Sequence, residues 1–198
     1  MVIHKPAGIL TVPGKTEDLQ DCMINRLVKL EPKTLLIHRL DRDTSGILVF
    51  GLSRWGQKSI SRQFQERQTD KTYQAIVAGH LEGQGTVDVP VIYDPSRPPL
   101  HIAELSHNKP AVTEWKAIEH FEIQGQPVTR VALTPITGRS HQLRVHMQFL
   151  GHPIVGDTLY AAPDQQDLMP RLCLHAERLS FHHPQTDERI EFICPVPF

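Results

Sequence analysis

The sequence predicts an α+β fold, with a mixed, mainly antiparallel β-sheet and flanking helices. Segments rich in β-branched and aromatic residues outnumber the helical ones. These segments follow one another in runs, without the regular strand–helix alternation of a doubly wound parallel sheet. A chain of 198 residues is long enough for one substantial hydrophobic core and short for two. We therefore expect a single domain over residues 1–198.

The first third of the chain contains two predicted strands and two predicted helices. Residues 2–4 are typical of a short strand, and residues 22–29 place apolar side chains at helical spacing. Residues 46–50 are wholly apolar and predict a buried strand. Ser53 can cap a helix that runs to about residue 67, because a serine hydroxyl accepts a hydrogen bond from a free N–H of the first turn.

The remainder is mostly strand. β-formers predict strands at residues 72–77, 86–92, 111–118, 128–133, 173–181 and 189–193. Residues 140–150 predict a helix that Gly151 closes. In this helix Leu143, Met147 and Leu150 form one apolar stripe, and the polar side chains lie on another face. We expect an amphipathic helix with a polar outer surface.

Composition excludes several classes of protein. The chain has no apolar run near the roughly 20 residues that span a membrane and no visible signal peptide, so we expect a cytoplasmic location. Its three cysteines form no CxxC pair, which argues against a disulfide framework and a zinc ribbon. Twelve histidines include no HExxH pattern, and we expect no metal.

Charge gives no global argument for a nucleic-acid partner, because the formal net charge is −1. An RNA-binding surface would have to come from local clusters of cations. The sequence offers several arginines and one lysine for this purpose: Arg39, Arg42, Arg62, Arg67, Lys71, Arg139 and Arg144. Each of them taken alone is equally typical of a solvated surface.

Residues 38–46 read His-Arg-Leu-Asp-Arg-Asp-Thr-Ser-Gly and lead directly into the predicted buried strand. Asp41 lies between Arg39 and Arg42. A single Arg–Asp pair is ordinarily a surface ion pair, but the whole string resembles the HRLDxxTSG signature of the RluA-type pseudouridine synthases. That resemblance implies that Asp41 is the catalytic residue. It leaves the position of Asp43 variable, so we do not assign Asp43 as a second catalytic carboxylate.

Residues 137–146 are similar to the TGRxHQIRxH motif of the same family. The resemblance implies that Arg139 pairs with Asp41. A guanidinium stays protonated and can hold a carboxylate in one orientation, and its charge favours the ionised form that a nucleophile needs. His141 and Arg144, on the polar face of the predicted helix, are expected to contact substrate.

Residues 71–75 are similar to the family's KxY segment, whose tyrosine lies against the target base, so the resemblance makes Tyr73 the third catalytic candidate. Residues 4–9, 151–157 and 172–176 match the KPxG, GHPIxGD and LxLHA segments in the expected order. Leu174, in the last of these, is expected to form a wall of the substrate pocket. The resemblance covers nearly the whole chain and implies the pseudouridine synthase fold, with a central RNA-binding cleft.

The implied reaction is the isomerisation of a uridine in RNA, with no cofactor. Compact members of the family act on the anticodon stem-loop of tRNA and on a similar loop of 23S rRNA, and we expect these substrates here. Arg39 either enters the space left by the flipped base or anchors the loop. We also expect a monomer with no obligate protein partner and no appended S4-like domain.

Other functions stay open at this stage. A synthase of the same family with a different tRNA or rRNA target has the same motifs. A non-catalytic RNA-binding protein would be expected to have lost Asp41, Tyr73 or Arg139, and all three are present. A hydrolase that used Asp41 would release free uracil.

Overall fold

The computed structural model describes all 198 residues and divides into two compact units. The first unit consists of Met1–Lys71 and His175–Pro197, and the second of Thr72–Leu174 with Phe198. Antiparallel strand pairs dominate both units, which confirms the predicted α+β class. The single domain over residues 1–198 stays a prediction.

Strands outnumber helices, as the sequence predicts. In chain order the strands are β1 (Val2–Lys5), β2 (Leu35–Leu36), β3 (Ser45–Gly51), β4 (Asp70–Ala78), β5 (Gln84–Asp88), β6 (Val91–Tyr93), β7 (His101–Ala103), β8 (Val112–Ile123), β9 (Gln126–Pro135), β10 (Leu174–His182) and β11 (Arg189–Ile193). The helices are α1 (Met23–Leu30), α2 (Arg54–Gln65), α3 (Gln142–Phe149) and α4 (Pro163–Gln166). None of them has the length and apolar character needed to cross a lipid bilayer.

The first unit is built around β3, all seven residues of which are buried. β3 pairs antiparallel with β1 and β2, and parallel with the start of β10, which in turn pairs with β11. Helix α2 contributes Ile60 to the core of this unit, beside Val49 and Phe181. The hydroxyl of Ser53 accepts a hydrogen bond from the N–H of Gly56 at 3.1 Å, which confirms the predicted cap of α2.

The second unit contains the antiparallel order β4–β9–β8–β5 and a separate hairpin of β6 and β7. The prediction of one strand over residues 86–92 is wrong, because the chain leaves the pairing at Pro90 and β6 joins another sheet. Proline has no N–H to donate to a strand neighbour, so it interrupts the ladder. The short β7 and α4 were not predicted.

Helix α3 begins at Gln142, two residues later than predicted, because His141 adopts a left-handed conformation with φ of 55°. Its end agrees with the prediction. Gly151 has φ of 83°, and its N–H donates to the carbonyl of Gln148 at 2.9 Å. Glycine closes a helix in this conformation without the steric cost of a Cβ atom.

Most of the expected polar outer surface of α3 is absent, because every residue from Gln142 to Met147 is buried and only Gln148 and Phe149, at the end of the helix, are exposed. His146 illustrates the reason. Its Nδ1 accepts from the hydroxyl of Thr113 at 2.9 Å, and its Nε2–H donates to the carbonyl of Val89 at 2.8 Å. Burial lowers the pKa of His146, with the Val89 carbonyl and the charge of Asp88 opposing this effect.

These contacts predict that acid destabilises the protein through His146. Its pKa is near 6.5 in the unfolded chain and lower in the folded one, so the stabilisation is complete above about pH 6.5. It is lost as the pH falls below that value, because the unfolded state then binds the extra proton. We expect the free energy of unfolding to fall by up to about 1.4 kcal/mol per pH unit for this group.

Urea unfolding at pH 7.5 and pH 5.5 measures this effect. His146→Gln should show a smaller loss between the two pH values than the unsubstituted protein. His80→Gln, at an exposed position, is the matched control and should leave the loss unchanged. An equal loss in all three proteins would contradict the assignment.

Candidate active site

Asp41 lies in residues 38–44, a segment that we call the signature loop, and this loop leads directly into β3. The loop alternates in exposure: Arg39 is exposed, Leu40 is buried and Asp41 is half-buried. β3 provides a rigid support because all its side chains are packed. A half-buried carboxylate at the entrance to a rigid strand is accessible to a substrate and restricted in its motion.

Thr11 fixes the signature loop on the N-terminal side of Asp41. Its hydroxyl donates to the carbonyl of Leu40 at 2.8 Å and accepts from the N–H of the same residue at 3.2 Å. Thr11 is itself 2% exposed, so water does not compete for these hydrogen bonds. One hydroxyl therefore satisfies both backbone groups of the residue next to Asp41.

Lys5 fixes the loop on the other side of Asp41. Its ammonium group donates to the carbonyls of Pro6, Ile9 and Arg42, each at 2.8 Å. The side chain is 0% exposed. Three acceptors match the three protons of an ammonium group, so the buried charge is solvated by the backbone. The Nε–H of Arg42 also donates to the carbonyl of Gly8 at 3.2 Å.

His38 anchors the first residue of the loop. Its Nε2 accepts from the N–H of Val49 at 3.1 Å, and its ring stacks on Phe64 of α2 with 4.6 Å between centroids. Burial, with a smaller effect from the charge of Lys71, lowers the pKa of His38 to about 3. The ring is therefore neutral at neutral pH and keeps its acceptor nitrogen toward β3.

Ser45 and His175 form a buried pair that resembles a catalytic serine–histidine dyad. The hydroxyl of Ser45 donates to Nδ1 of His175 at 2.8 Å, and Nε2–H of His175 donates to the carbonyl of Cys194 at 3.1 Å. The two side chains are 1% and 0% exposed, so no substrate reaches the serine. This pair joins β3 to β10 and has a structural role.

His175 also belongs to a cluster of potential metal ligands, together with His4 and the thiol of Cys194. The ligand atoms of these three residues lie within 4.8 Å of one another. Both ring nitrogens of His175 already form hydrogen bonds. A metal ion would have to break one of them. Burial also raises the pKa of the Cys194 thiol, which disfavours the thiolate that ligates metals.

The residues predicted to work with Asp41 lie in the second unit. Gln142, at the start of α3, fixes the turn that carries Arg139. Its side-chain oxygen accepts from the hydroxyl of Thr137 at 2.7 Å and from the N–H of Arg139 at 3.0 Å. The side chain of Arg139 is exposed, and its Nε–H donates to the carbonyl of Pro110 at 3.2 Å. Its pairing with Asp41 stays a prediction.

His141 is half-buried and held by Tyr160. The hydroxyl of Tyr160 accepts from the N–H of His101 at 2.9 Å and donates to Nδ1 of His141 at 2.6 Å. The ring of His141 lies 4.7 Å from that of His101. These contacts orient the imidazole, and its expected contact with substrate stays a prediction.

Arg144 is buried in the second unit, and its expected contact with substrate stays a prediction. Its side chain is 3% exposed and forms a two-pronged ion pair with Asp157, at 2.7 and 2.6 Å. Asp157 also accepts from the N–H groups of Leu159 and Tyr160. The guanidinium therefore holds the loop that follows α3 against this helix.

Tyr73 and Leu174 belong to the hydrophobic core of the second unit. Tyr73 is half-buried on β4, opposite Leu133 of β9, and packs on the edge of that core. Its partial exposure is compatible with a face toward a base. Leu174 is 3% exposed among the core side chains, which indicates a packing role. Its predicted place in the pocket wall stays a prediction.

Sequence reasoning missed the roles of Thr11 and Lys5. The lysine lies in a matched segment, but nothing in that segment shows that its charge is buried. A lone threonine in a loop has no sequence pattern that predicts its partner, Leu40, 29 positions away.

Comparison with known proteins gives one consistent family. Residues 1–149 match the model of the RNA pseudouridylate synthase family. The chain is 46% identical over 199 residues to the dual-specificity RNA pseudouridine synthase RluA of Pasteurella multocida, and 44% identical over 200 residues to that of Escherichia coli. Each alignment covers 100% of this chain and 90% of the relative.

Solved structures agree with the sequence comparison. Human RNA pseudouridylate synthase domain containing 1 is 33% identical and superposes with a TM-score of 0.83, covering 100% of this chain and 80% of that chain. Human RNA pseudouridylate synthase domain containing 4 is 26% identical with a TM-score of 0.76, covering 99% and 85%.

The buried ammonium of Lys5 yields a stability prediction. Lys5→Met keeps the length of the side chain and removes the donor, which leaves the carbonyls of Pro6, Ile9 and Arg42 without this partner. We expect the free energy of unfolding to fall by about 3 kcal/mol. Urea unfolding measures this loss, and Lys33→Met, at an exposed position, should stay within about 0.5 kcal/mol. A Lys5→Met protein as stable as the control would contradict the role of Lys5.

Proposed function

Because this chain belongs to the RNA pseudouridylate synthase family, which makes it an isomerase acting on uridine in RNA, we propose the residues and the substrates of that reaction. The catalytic residue is Asp41. The observation that carries this proposal is the attachment of the signature loop to the first unit on both sides of Asp41, through Leu40 and Arg42. A carboxylate held in this way is preorganised for reaction.

The reaction breaks the N1–C1′ bond of a uridine, turns the uracil, and joins C5 to C1′. The proton on C5 is lost, and N1 gains one. The carboxylate of Asp41 either attacks C1′ or removes the C2′ proton, so that the sugar passes through a glycal. Both routes need an ionised carboxylate and a base removed from the RNA stack.

Arg139 and Tyr73 complete the proposed site. The guanidinium of Arg139 orients the carboxylate of Asp41, because its planar fork of N–H donors can hold a carboxylate in one orientation. The bound N–H of Arg139 fixes the turn from which the side chain projects. Tyr73 provides a flat face for the uracil and a hydroxyl that can take part in proton transfer.

Contacts with RNA outside the reacting uridine are assigned to two exposed or half-exposed side chains. Arg39 lies two residues before Asp41 and enters the space left by the flipped base. His141, oriented by Tyr160, contacts the RNA from the second unit. Leu174 is assigned to the wall of the substrate pocket, which it contacts with the small part of its side chain that is accessible. The enzyme acts in the cytoplasm as a monomer.

The proposed substrates are an anticodon stem-loop of tRNA and a similar hairpin of 23S rRNA. Support comes from relatives that are 44–46% identical over the full chain and are named dual-specificity synthases. RNA loops are recognised through splayed bases and loop shape, so two unrelated RNAs with one loop shape can share an enzyme. A synthase of the same family with a different tRNA or rRNA target is the alternative.

The assignment of Asp41 predicts that Asp41→Asn abolishes pseudouridine formation and leaves RNA binding largely unchanged. An amide keeps the shape of the carboxylate and lacks its nucleophilicity. Tritium release from RNA labelled at C5 of uridine measures turnover, and a filter assay measures binding. Asp43→Asn is the matched control and should retain activity. Substantial turnover by Asp41→Asn would refute the assignment, and release of free uracil by the unsubstituted enzyme would indicate a hydrolase.

Dual specificity predicts turnover on two short hairpins, one with the sequence of a tRNA anticodon stem-loop and one from 23S rRNA. Each hairpin is compared with its full-length RNA, at the same salt concentration because phosphate contacts make binding salt-dependent. A hairpin with the same stem and a scrambled loop is the control and should not react. Modification of one RNA class only would contradict dual specificity and leave the synthase activity intact.

The two hydrogen bonds of Thr11 predict an effect on catalysis at a distance from the substrate. Thr11→Val keeps the shape of the side chain and removes both bonds to Leu40, so Asp41 loses its fixed position. We expect kcat to fall about tenfold or more, since small displacements of catalytic groups have effects up to about 100-fold, with KM little changed.

Thr11→Ser restores the hydroxyl and should recover most of the lost kcat. This rescue separates positioning from packing, because serine lacks the methyl group that valine retains. Equal kcat values for Thr11→Val and the unsubstituted enzyme would show that Leu40 does not control Asp41.

A further inference from the structure

Helix α2 carries an unbalanced charge. Its 12 residues include Arg54, Lys58 and Arg62, spaced four apart, and no aspartate or glutamate. The whole chain is nearly neutral, with 21 lysines and arginines against 22 aspartates and glutamates. All three cations are exposed, and none of them belongs to the ion pairs of the structure. The positive charge of α2 is therefore not neutralised by an ion pair.

Two of these cations line a cleft of about 400 Å³ on the first unit. Lys58 and Arg62 lie on one side of the cleft together with Trp55. The three residues share one face of α2, because they are spaced three and four positions apart. The indole of Trp55 is 56% exposed, although an aromatic ring of this size is usually buried. The hairpin between β10 and β11 forms the other side, with His182, His183 and a single carboxylate, that of Asp187.

Gln63 lines the cleft and joins its two sides. The side chain of Gln63 is 6% exposed; its Nε2 donates to the carbonyl of His182 at 2.9 Å, and its oxygen accepts from the N–H of the same residue at 2.8 Å. This pair of hydrogen bonds holds α2 against the end of β10. The two walls therefore keep their distance without a ligand.

The cleft belongs to the same compact unit as Asp41 but lies away from it. The signature loop precedes the first residue of β3, and α2 follows the last residue of β3. The length of this strand therefore separates the loop from the helix. Because β10 runs parallel to β3 from His175 opposite Ser45, His182 lies beyond the end of β3. A strand of seven residues spans about 23 Å. RNA that reaches the cleft must extend well past the reacting uridine.

We propose that this cleft is a second RNA-binding site, which holds part of the substrate outside the target loop. Lys58 and Arg62 bind phosphates, and Trp55 stacks on an unpaired base or a ribose. Unpaired cations beside an exposed indole suit a chain that carries both negative charge and flat aromatic faces. An acidic peptide would use the cations and leave the indole without a partner. The inference rests on the proposed function, because the ligand is the substrate RNA.

The test compares a full-length tRNA transcript that the unsubstituted enzyme modifies with the isolated hairpin of the same tRNA. For Lys58→Glu/Arg62→Glu we expect KM on the full-length RNA to rise about tenfold and kcat to stay the same, with both constants unchanged on the hairpin. Loss of two phosphate contacts should also reduce the slope of log affinity against log salt by about 1.4. Trp55→Ala should raise KM on the full-length RNA, and Trp55→Phe should restore it.

Lys29→Glu/Lys33→Glu is the matched control, because it makes the same change in net charge at exposed positions of the first unit. An equal rise in KM for the control would overturn the proposal in favour of general charge repulsion. An unchanged KM on the full-length RNA, or equal effects on both substrates, would also overturn it. Polyglutamate that competes as well as non-substrate RNA would assign the cleft to acidic peptides instead. Turnover of the hairpin by the unsubstituted enzyme establishes the proposed function separately.

Discussion

The geometry of the first unit depends on the hydrogen bonds that the buried ammonium group of Lys5 donates. A charge with no access to water is costly unless its surroundings replace the lost hydration. Here three backbone carbonyls do so, from Pro6, Ile9 and Arg42. Two of these carbonyls come from the loop that follows β1, and the third comes from the signature loop. One lysine thus joins segments that the sequence separates by 37 positions.

The same principle orders the start of α3 in the second unit. Gln142 donates to the carbonyl of Val112 at 2.9 Å and to the hydroxyl of Thr113 at 3.0 Å, in addition to its contacts with Thr137 and Arg139. The hydroxyl of Thr113 in turn donates to His146. Each polar side chain of this network has a partner, so the network adds rigidity without the penalty of an unsatisfied donor or acceptor. Candidate residues of the proposed site are therefore supported in both units by buried polar side chains.

The charged side chains of this protein fall into a buried group and an exposed group. A chain with a net charge of −1 cannot attract RNA by its overall field. Of the buried cations, Lys5 is solvated by backbone carbonyls and Arg144 is paired with Asp157. The exposed cations of the signature loop and of α2 stay available to a polyanion. Net charge alone does not show which arginines and lysines are buried and which stay exposed.

The sequence by itself determined the local features. The apolar run of β3, the cap at Ser53 and the glycine that closes α3 all arise from residues that are near neighbours in the chain, so their patterns are readable. The motifs around Asp41, Tyr73 and Arg139 indicated the family, which the comparisons confirm. These features needed no knowledge of what packs against them.

Only the tertiary structure decided which polar side chains are buried and with whom. Arg144 has its partner 13 positions away, Thr11 has its own 29 positions away, and Ser45 meets His175 across 130 positions. The left-handed conformation of His141, which delays the start of α3, coincides with its bond to Tyr160. A helical repeat records which residues share a face, but it does not record whether that face meets water or another polar group. That depends on the packing of distant segments, and so the roles of Arg144, Thr11 and Lys5 emerged only from the folded chain.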